Sequence, residues 1–287
     1  MLGALTFANY NLHGDAREFC MKIRLGCQTI IWGDNPAERF DRILPAVRAA
    51  GFDGVEIGFR HIRDLPPEGL KASLREHDLV LAASHIGGNL EDPDQAGGER
   101  SLLDAALDYL AAAGCSRLMF SGLNGESVDA VAGDIAVLGR AAESAAGRGV
   151  QLHYHNHHWE FLREGIMEAV LERTPDSLLL CPDVGWLYRA GVDARSFLEQ
   201  NASRVGALHF KDFATPGDGQ VSFNLDTVPL GEGLAPLREV AEWLRTGPLA
   251  VDPLWVIAEQ DRHDGPAEEA VSVSGRFLRQ VLKTEAS

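Results

Sequence analysis

The chain has 287 residues, 45% hydrophobic and 24% charged, which suits one large barrel or two ordinary domains. Its formal net charge of −16 argues against a nucleic-acid partner, because gripping phosphates needs a basic footprint. No apolar run approaches the length of a membrane span, and Cys20, Cys27, Cys115 and Cys181 form no CxxC pair, so they read as reduced thiols of a cytoplasmic protein.

The first twenty residues lack the basic start and apolar centre of a secretory leader. MKIRLGCQTIIW then begins as a first strand, so residues 1–21 are expected to be a disordered extension, with Met21 as the translation start and 22–287 as the folded domain. From there strand and helix alternate about eight times. The predicted strands are 23–30, 54–58, 79–85, 117–121, 150–155, 178–183, 205–210 and 254–259, mostly one βα unit apart. Asn35 is expected to cap the first helix, with Pro36 in its first turn, Glu38 completing a capping box, Pro45 kinking it and Gly51 ending it. Apolar residues recur at helical spacing over 99–113, 127–147 and 266–283, and Gly114 and Gly149 stand where a helix must stop. No linker divides the chain. A single (β/α)8 TIM barrel follows, with a doubly wound sheet as the alternative. The connection from Lys211 to about Leu234 is long enough to serve as a lid or substrate wall.

In a parallel barrel the active site gathers at the carboxyl ends of the strands. Those ends here carry Glu56, His85, His155, Asp183, His209 and Glu259. One such residue is ordinarily a satisfied polar group; several on one rim need compensation, and a bound cation supplies it. The stretch HYHNHHWEF adds four of the ten histidines, with His153, His155 and His157 on one face of a strand. Mixed carboxylate and imidazole ligands suit one divalent ion, Mn²⁺, Co²⁺, Zn²⁺ or Mg²⁺, and the ligand types do not choose among them.

The strand-end series YHNHHWEF, CPDVGW, LHFKD, VPLGEG and AEQD resembles the xylose-isomerase-like TIM-barrel family, over about Lys22 to Lys283. That family includes sugar-phosphate isomerases, keto-sugar 3-epimerases, inosose dehydratases and, more distantly, endonuclease IV. Its epimerases hold one divalent metal with a glutamate on strand five, an aspartate on six, a histidine on seven and a glutamate on eight. The resemblance carries the last three onto Asp183, His209 and Glu259. Strand five offers His155 in place of the glutamate, with Glu160 as the alternative ligand or as a substrate-binding group. HxH on strand five and AEQD on strand eight are closer to what inosose dehydratase-like members carry. The epimerases also place a histidine three residues after the strand-six aspartate, where this chain has Trp186.

The chemistry so implied is a divalent-metal-dependent sugar isomerase or epimerase acting on a keto-sugar or keto-polyol through a metal-stabilised enediolate. The alternative is an inosose dehydratase-like lyase; a non-catalytic sugar-binding barrel or an endonuclease ranks lower. Glu259 is the expected base, with His157 or His155 as its counterpart. Lys211 either binds a substrate oxygen or pairs with Asp212 or Glu259. Glu56 and His85 are candidates for substrate hydroxyls, while Trp186, Trp32 and Trp159 either stack on a sugar face or pack in the core. Gly231 and Gly233 read as backbone shape, not as a phosphate loop. The expected partner is a small sugar or cyclitol, with no nucleic acid and no membrane; related barrels suggest a homodimer or homotetramer.

Overall fold

In the computed structural model, residues 22–88, 93–216, 226–245, 247, 249 and 251–282 are described, the side chains of 93–101 excepted. The expected extension at 1–21 and the middle of the long connection, 217–225, lie outside the described residues.

Eight apolar runs become parallel barrel strands: β1 Ile23–Gln28, β2 Gly54–Gly58, β3 Val80–Gly87, β4 Arg117–Ser121, β5 Gln151–His155, β6 Leu179–Cys181, β7 Ala207–Phe210 and β8 Leu254–Ala258. Neighbours in sequence are neighbours in the sheet, and β8 pairs with β1. Between β6 and β7 the barrel closes through single bridges, Leu180 to Val205 and Asp183 to His209. There the Leu180 N–H donates to the Arg204 carbonyl at 2.7 Å, and the His209 N–H donates to the Pro182 carbonyl at 3.0 Å.

Parallel pairing requires long crossovers, and helices supply them. These are α1 Phe40–Ala49, α2 Pro67–Arg75, α3 Pro93–Ala113, α4 Val128–Ala146, α5 Trp159–Leu162, α6 Ile166–Arg173, α7 Val184–Arg189, α8 Ala194–Gln200, α9 Leu237–Leu244 and α10 Ala267–Leu282. In α10, Ala270, Val271, Ser274, Phe277, Leu278 and Val281 are buried, the stripe that a 3.6-residue period lays against a sheet. Among the described residues no helix is long and apolar enough to cross a membrane.

The first helix starts later than its sequence signals imply. Pro36–Arg39 forms a 3₁₀ turn, and Asn35 sits at φ 54° with no side-chain capping bond. In that left-handed conformation its backbone carbonyl, not its side chain, accepts from the Glu38 N–H. At α3 the opposite holds: the helix begins at Pro93, a residue already suited to a first turn, and not near 99. Ser127 caps α4 through its side chain, accepting from the Ala130 N–H.

The barrel interior is stacked in levels, because alternate residues of each strand point inward. Low in the barrel, Trp255, Met119, Ala207 and Ala83 form an apolar plug. Gly54 leaves room for the Trp255 indole, which a Cβ there would meet at 3.0 Å. Above the plug, with Ile257 standing between Trp255 and Glu259, the inward positions Glu56, His85, His155, His209 and Glu259 are polar. Past β5 the chain turns at His158, whose ring packs 5.0 Å from Trp186 and 5.2 Å from Trp159 between centroids.

Two predictions follow from this packing. Arg204 is buried and donates to the Leu178 and Leu171 carbonyls and to the Thr174 hydroxyl, tying α6 to the seam between β6 and β7. Each stranded buried acceptor costs about 1–3 kcal/mol. Arg204→Met is therefore expected to lower the urea unfolding free energy by at least about 2 kcal/mol, whereas a loss below about 0.5 kcal/mol would contradict the role. Separately, burial lowers the His158 pKa to about 4, so the native ring stays neutral where the unfolded one takes up a proton. The stability held above the unfolded value is lost as pH falls through that window towards 4. The melting temperature of the wild type should thus drop more between pH 7 and pH 5 than that of His158→Gln; parallel curves would refute this.

Candidate metal centre and cavity

The polar level at the carboxyl ends of the strands is one hydrogen-bonded chain across the barrel. The Ser121 hydroxyl and His85 Nε2 are 2.9 Å apart, and His85 Nδ1 donates to Glu56 Oε1 at 3.3 Å. The other Glu56 oxygen accepts from His209 Nε2 at 2.9 Å, and His209 Nδ1 makes a very short contact with Glu259 Oε2. Lys211 Nζ closes the chain by donating to Glu259 Oε1 at 3.0 Å and to Asp261 Oδ2 at 2.9 Å.

Burial works against charge on His209, yet Cys181, Glu56 and Glu259 hold its pKa well above the usual value. The geometry agrees with that direction, since each ring nitrogen faces a carboxylate oxygen. Burial also disfavours ionised Glu259, but Lys211 and His209 outweigh it and keep the carboxylate charged. Asp183 has less support: burial raises its pKa to about 7. Its Oδ1 accepts from the Trp186 N–H at 2.8 Å, capping α7, while Oδ2 is buried with no hydrogen-bond partner. His155 is similar. It is 1% exposed, its Nδ1 has no partner, and burial holds its pKa well below the usual value.

His155, Asp183, His209 and Glu259 each offer a ligand atom, and all four atoms lie within 4.8 Å of one another. Two residues of this set carry a buried atom without a hydrogen-bond partner, Asp183 at Oδ2 and His155 at Nδ1. Glu56, Glu259 and Asp261 meet Lys211 and His209, with His85 also on Glu56, and Asp183 is a fourth carboxylate beside them. Mixed nitrogen and oxygen donors, orphaned atoms and excess negative charge all fit a divalent cation.

Above this set lies a cavity of about 290 Å³, lined among others by His85, His155, His157, Trp186, Lys211 and Glu259. Its size is at the lower end for small-molecule sites. Asp183 and His209 lie fully buried just beneath it. Two expected substrate contacts are not brought to the cavity. Glu56 is inward-facing in the middle of β2, and its two oxygens are used by His85 and His209. Glu160 is turned into the protein by the first turn of α5, where it accepts from the Tyr154 hydroxyl at 2.8 Å and from the His157 N–H at 2.9 Å. Its commitment to those donors leaves His155 as the strand-five member of the cluster. His153 stays lower in the barrel, against Gly206. Of the three tryptophans, Trp186 lines the cavity, whereas Trp32 bonds to Glu268 and Trp159 donates to the Leu123 carbonyl.

Several contributors are not evident from sequence. Asp261 faces Lys211 because it follows Glu259 by two residues, a spacing that alternation makes readable in hindsight. The Asn156 side chain accepts from the Asp183 N–H at 3.1 Å and so steadies that residue. Asp212 does not pair with Lys211. It accepts instead from the N–H groups of Phe213, Gly231, Gly233 and Ala235, pinning the VPLGEG turn beside the site. A Cβ on Gly233 would fall 2.2 Å from Asp212 Oδ1, and Gly231 has φ 88°, so both glycines serve backbone shape. Asp212–Phe213 also pairs antiparallel with Thr227–Val228, which brings the two described ends of the long connection together.

Known proteins share this architecture. The chain is 24% identical to an inosose dehydratase of Clostridium perfringens (strain 13 / Type A) over an alignment covering 71% of this chain and 84% of the relative. A sugar phosphate isomerase/epimerase from Parabacteroides distasonis ATCC 8503 superposes with a TM-score of 0.70 at 20% identity, over 95% of this chain and 98% of its own. The IolI protein, solved with a bound zinc atom, superposes with a TM-score of 0.71 at 17% identity, over 91% of this chain and 98% of its own. The family model for the xylose isomerase-like TIM barrel matches residues 44–281, and the chain belongs to that family.

Proposed function

We propose that this protein is a divalent-metal-dependent sugar isomerase or epimerase that enolises a keto-sugar or keto-polyol. The observation that carries the reading is the cluster of His155, Asp183, His209 and Glu259 directly under a small-molecule cavity. The zinc in the IolI neighbour and the sugar chemistry named for the relatives support it. Mn²⁺ is our first choice of ion, with Co²⁺, Zn²⁺ or Mg²⁺ as alternatives. When bound, the cation supplies Lewis acidity towards a carbonyl and its neighbouring hydroxyl.

The residues of the chain divide the remaining work. Glu259, held ionised by Lys211 and His209, faces the cavity and accepts the proton from the substrate α-carbon. Lys211 keeps Glu259 in place and puts a positive charge at the cavity wall, where it offsets negative charge developing on the substrate oxygen. His157 lines the wall formed past β5 and stacks on Trp159 at 4.0 Å with 10° between the rings, so its orientation is fixed. It is the group placed to hand a proton back. Returning the proton to a different carbon or face gives isomerisation or epimerisation.

A second reading, dehydration of an inosose-type cyclitol, is favoured by the similarity to inosose dehydratases and by the imidazole in place of a strand-five carboxylate. In that case His157 protonates a departing β-hydroxyl.

Incubating the Mn²⁺-loaded protein with keto-sugars and 2-keto-inositol in D₂O distinguishes the two by NMR. Deuterium incorporation without loss of water supports the isomerase; elimination of water supports the lyase; neither with any compound contradicts both. Glu259→Gln should abolish the exchange, and full activity would remove Glu259 from the mechanism. Changes that only disturb the support of a metal ligand cost about 10–100-fold in affinity, so loss of a ligand costs at least as much. Asp183→Asn is therefore expected to weaken Mn²⁺ binding in calorimetry by at least about tenfold. Unchanged affinity would exclude Asp183 as a ligand.

A further inference from the structure

Cys181 ends β6, is fully buried beside His209 and is given no catalytic or metal-binding role above. It lies in register with His155 on β5, while Asp183, two residues on, lies opposite His209 on β7. Two residues along a strand repeat the same face about 6.6 Å further up. The thiol thus stands one level below the Asp183 carboxylate, on the same wall of the barrel. His155, Cys181 and His209 each offer a ligand atom, and these three atoms also lie within 4.8 Å of one another. His155, a member of this trio, has a buried Nδ1 with no hydrogen-bond partner.

We propose that His155, Cys181 and His209 form a second metal position that takes a thiophilic divalent cation of the zinc class. Two imidazoles and a thiolate are a donor set that such ions favour, whereas harder ions such as Mn²⁺ favour the carboxylates one level higher. On binding, the thiol, and the His209 ring in its protonated form, each give up a proton to solvent, a sulfur–metal bond replaces the S–H bond and a nitrogen–metal bond replaces the N–H bond. Both sets draw on His155 and His209, so an ion in one excludes an ion from the other. An ion in the lower trio has exchanged Asp183 and Glu259 for Cys181 and sits further from the cavity. Ion identity then selects the level, and a soft ion is retained without serving the substrate.

The inference shares two residues with the proposed enzymatic centre, but its readout is spectroscopic and does not depend on turnover. Metal-free full-length protein receives one equivalent of Co²⁺ and its absorption spectrum is recorded. A thiolate-to-cobalt charge-transfer band in the near ultraviolet is expected beside the weaker visible bands of bound Co²⁺. Cys181→Ser should lose the ultraviolet band and keep the visible ones. Visible bands alone in the wild type would overturn the proposal, as would an ultraviolet band that survives Cys181→Ser or a failure to bind Co²⁺ at all. X-ray absorption of the Zn²⁺-loaded wild type needs no variant. A sulfur scatterer at about 2.3 Å is expected, and a shell of nitrogen and oxygen alone would overturn the proposal. Deuterium exchange by the Mn²⁺-loaded protein is independent of either result, so a failure here leaves the enzymatic reading standing.

Discussion

Everything at the mouth of this barrel depends on how buried negative charge is compensated. Glu56, Asp183 and Glu259 are removed from water, and Asp261 nearly so. An isolated buried carboxylate costs several kcal/mol, more than a typical domain can absorb several times over. Lys211 and His209 answer part of that cost by bridging the carboxylates in pairs. Asp183 is the group left over, with its pKa raised to about 7 and one oxygen without a partner. A divalent cation between Asp183, His155, His209 and Glu259 would complete the compensation, and the excess negative charge would favour its binding.

The scaffold holds that arrangement from both sides. Asp183 is at once the N-cap of α7 and a member of the ligand cluster, so the start of the helix orients the carboxylate. α7 in turn presses against β7: a Cβ on Gly185 would lie 2.5 Å from the Lys211 carbonyl oxygen. On the far side of Lys211, Asp212 gathers four backbone N–H groups and fixes the turn that follows. Arg189, at the end of α7, pairs with Asp226 and donates to Thr215 and to the Pro216 carbonyl. The two described ends of the long connection are therefore fastened to the helix that carries Asp183.

Much of this is readable from the amino-acid sequence, and the reasons are physical. Apolar runs bounded by glycine mark the strands, and a period of two places His155, His209 and Glu259 inside the barrel at similar height. Asp183 is readable because a charged residue directly follows the apolar run LLLCP at the end of a strand. Other features depend on contacts between distant segments. Glu56 looks like a strand-end carboxylate, but its place below the cavity follows from His209, which lies 153 residues away. Glu160 could fold back towards the metal; the short α5 turns it to Tyr154 instead. The Asn35 capping signal fails because the backbone there adopts φ 54°, which the residue pattern does not reveal. Local spacing shows which groups face inward, while their partners emerge only once the barrel is closed.

The central claim concerns one ion at one place. A crystal of the protein supplemented with Mn²⁺, measured at the manganese absorption edge, tests it most directly. The account requires a single anomalous peak within bonding distance of His155, Asp183, His209 and Glu259, with His209 drawn away from its contact with Glu259. A well-ordered barrel whose four side chains enclose no peak, or whose Mn²⁺ sits elsewhere, would contradict it.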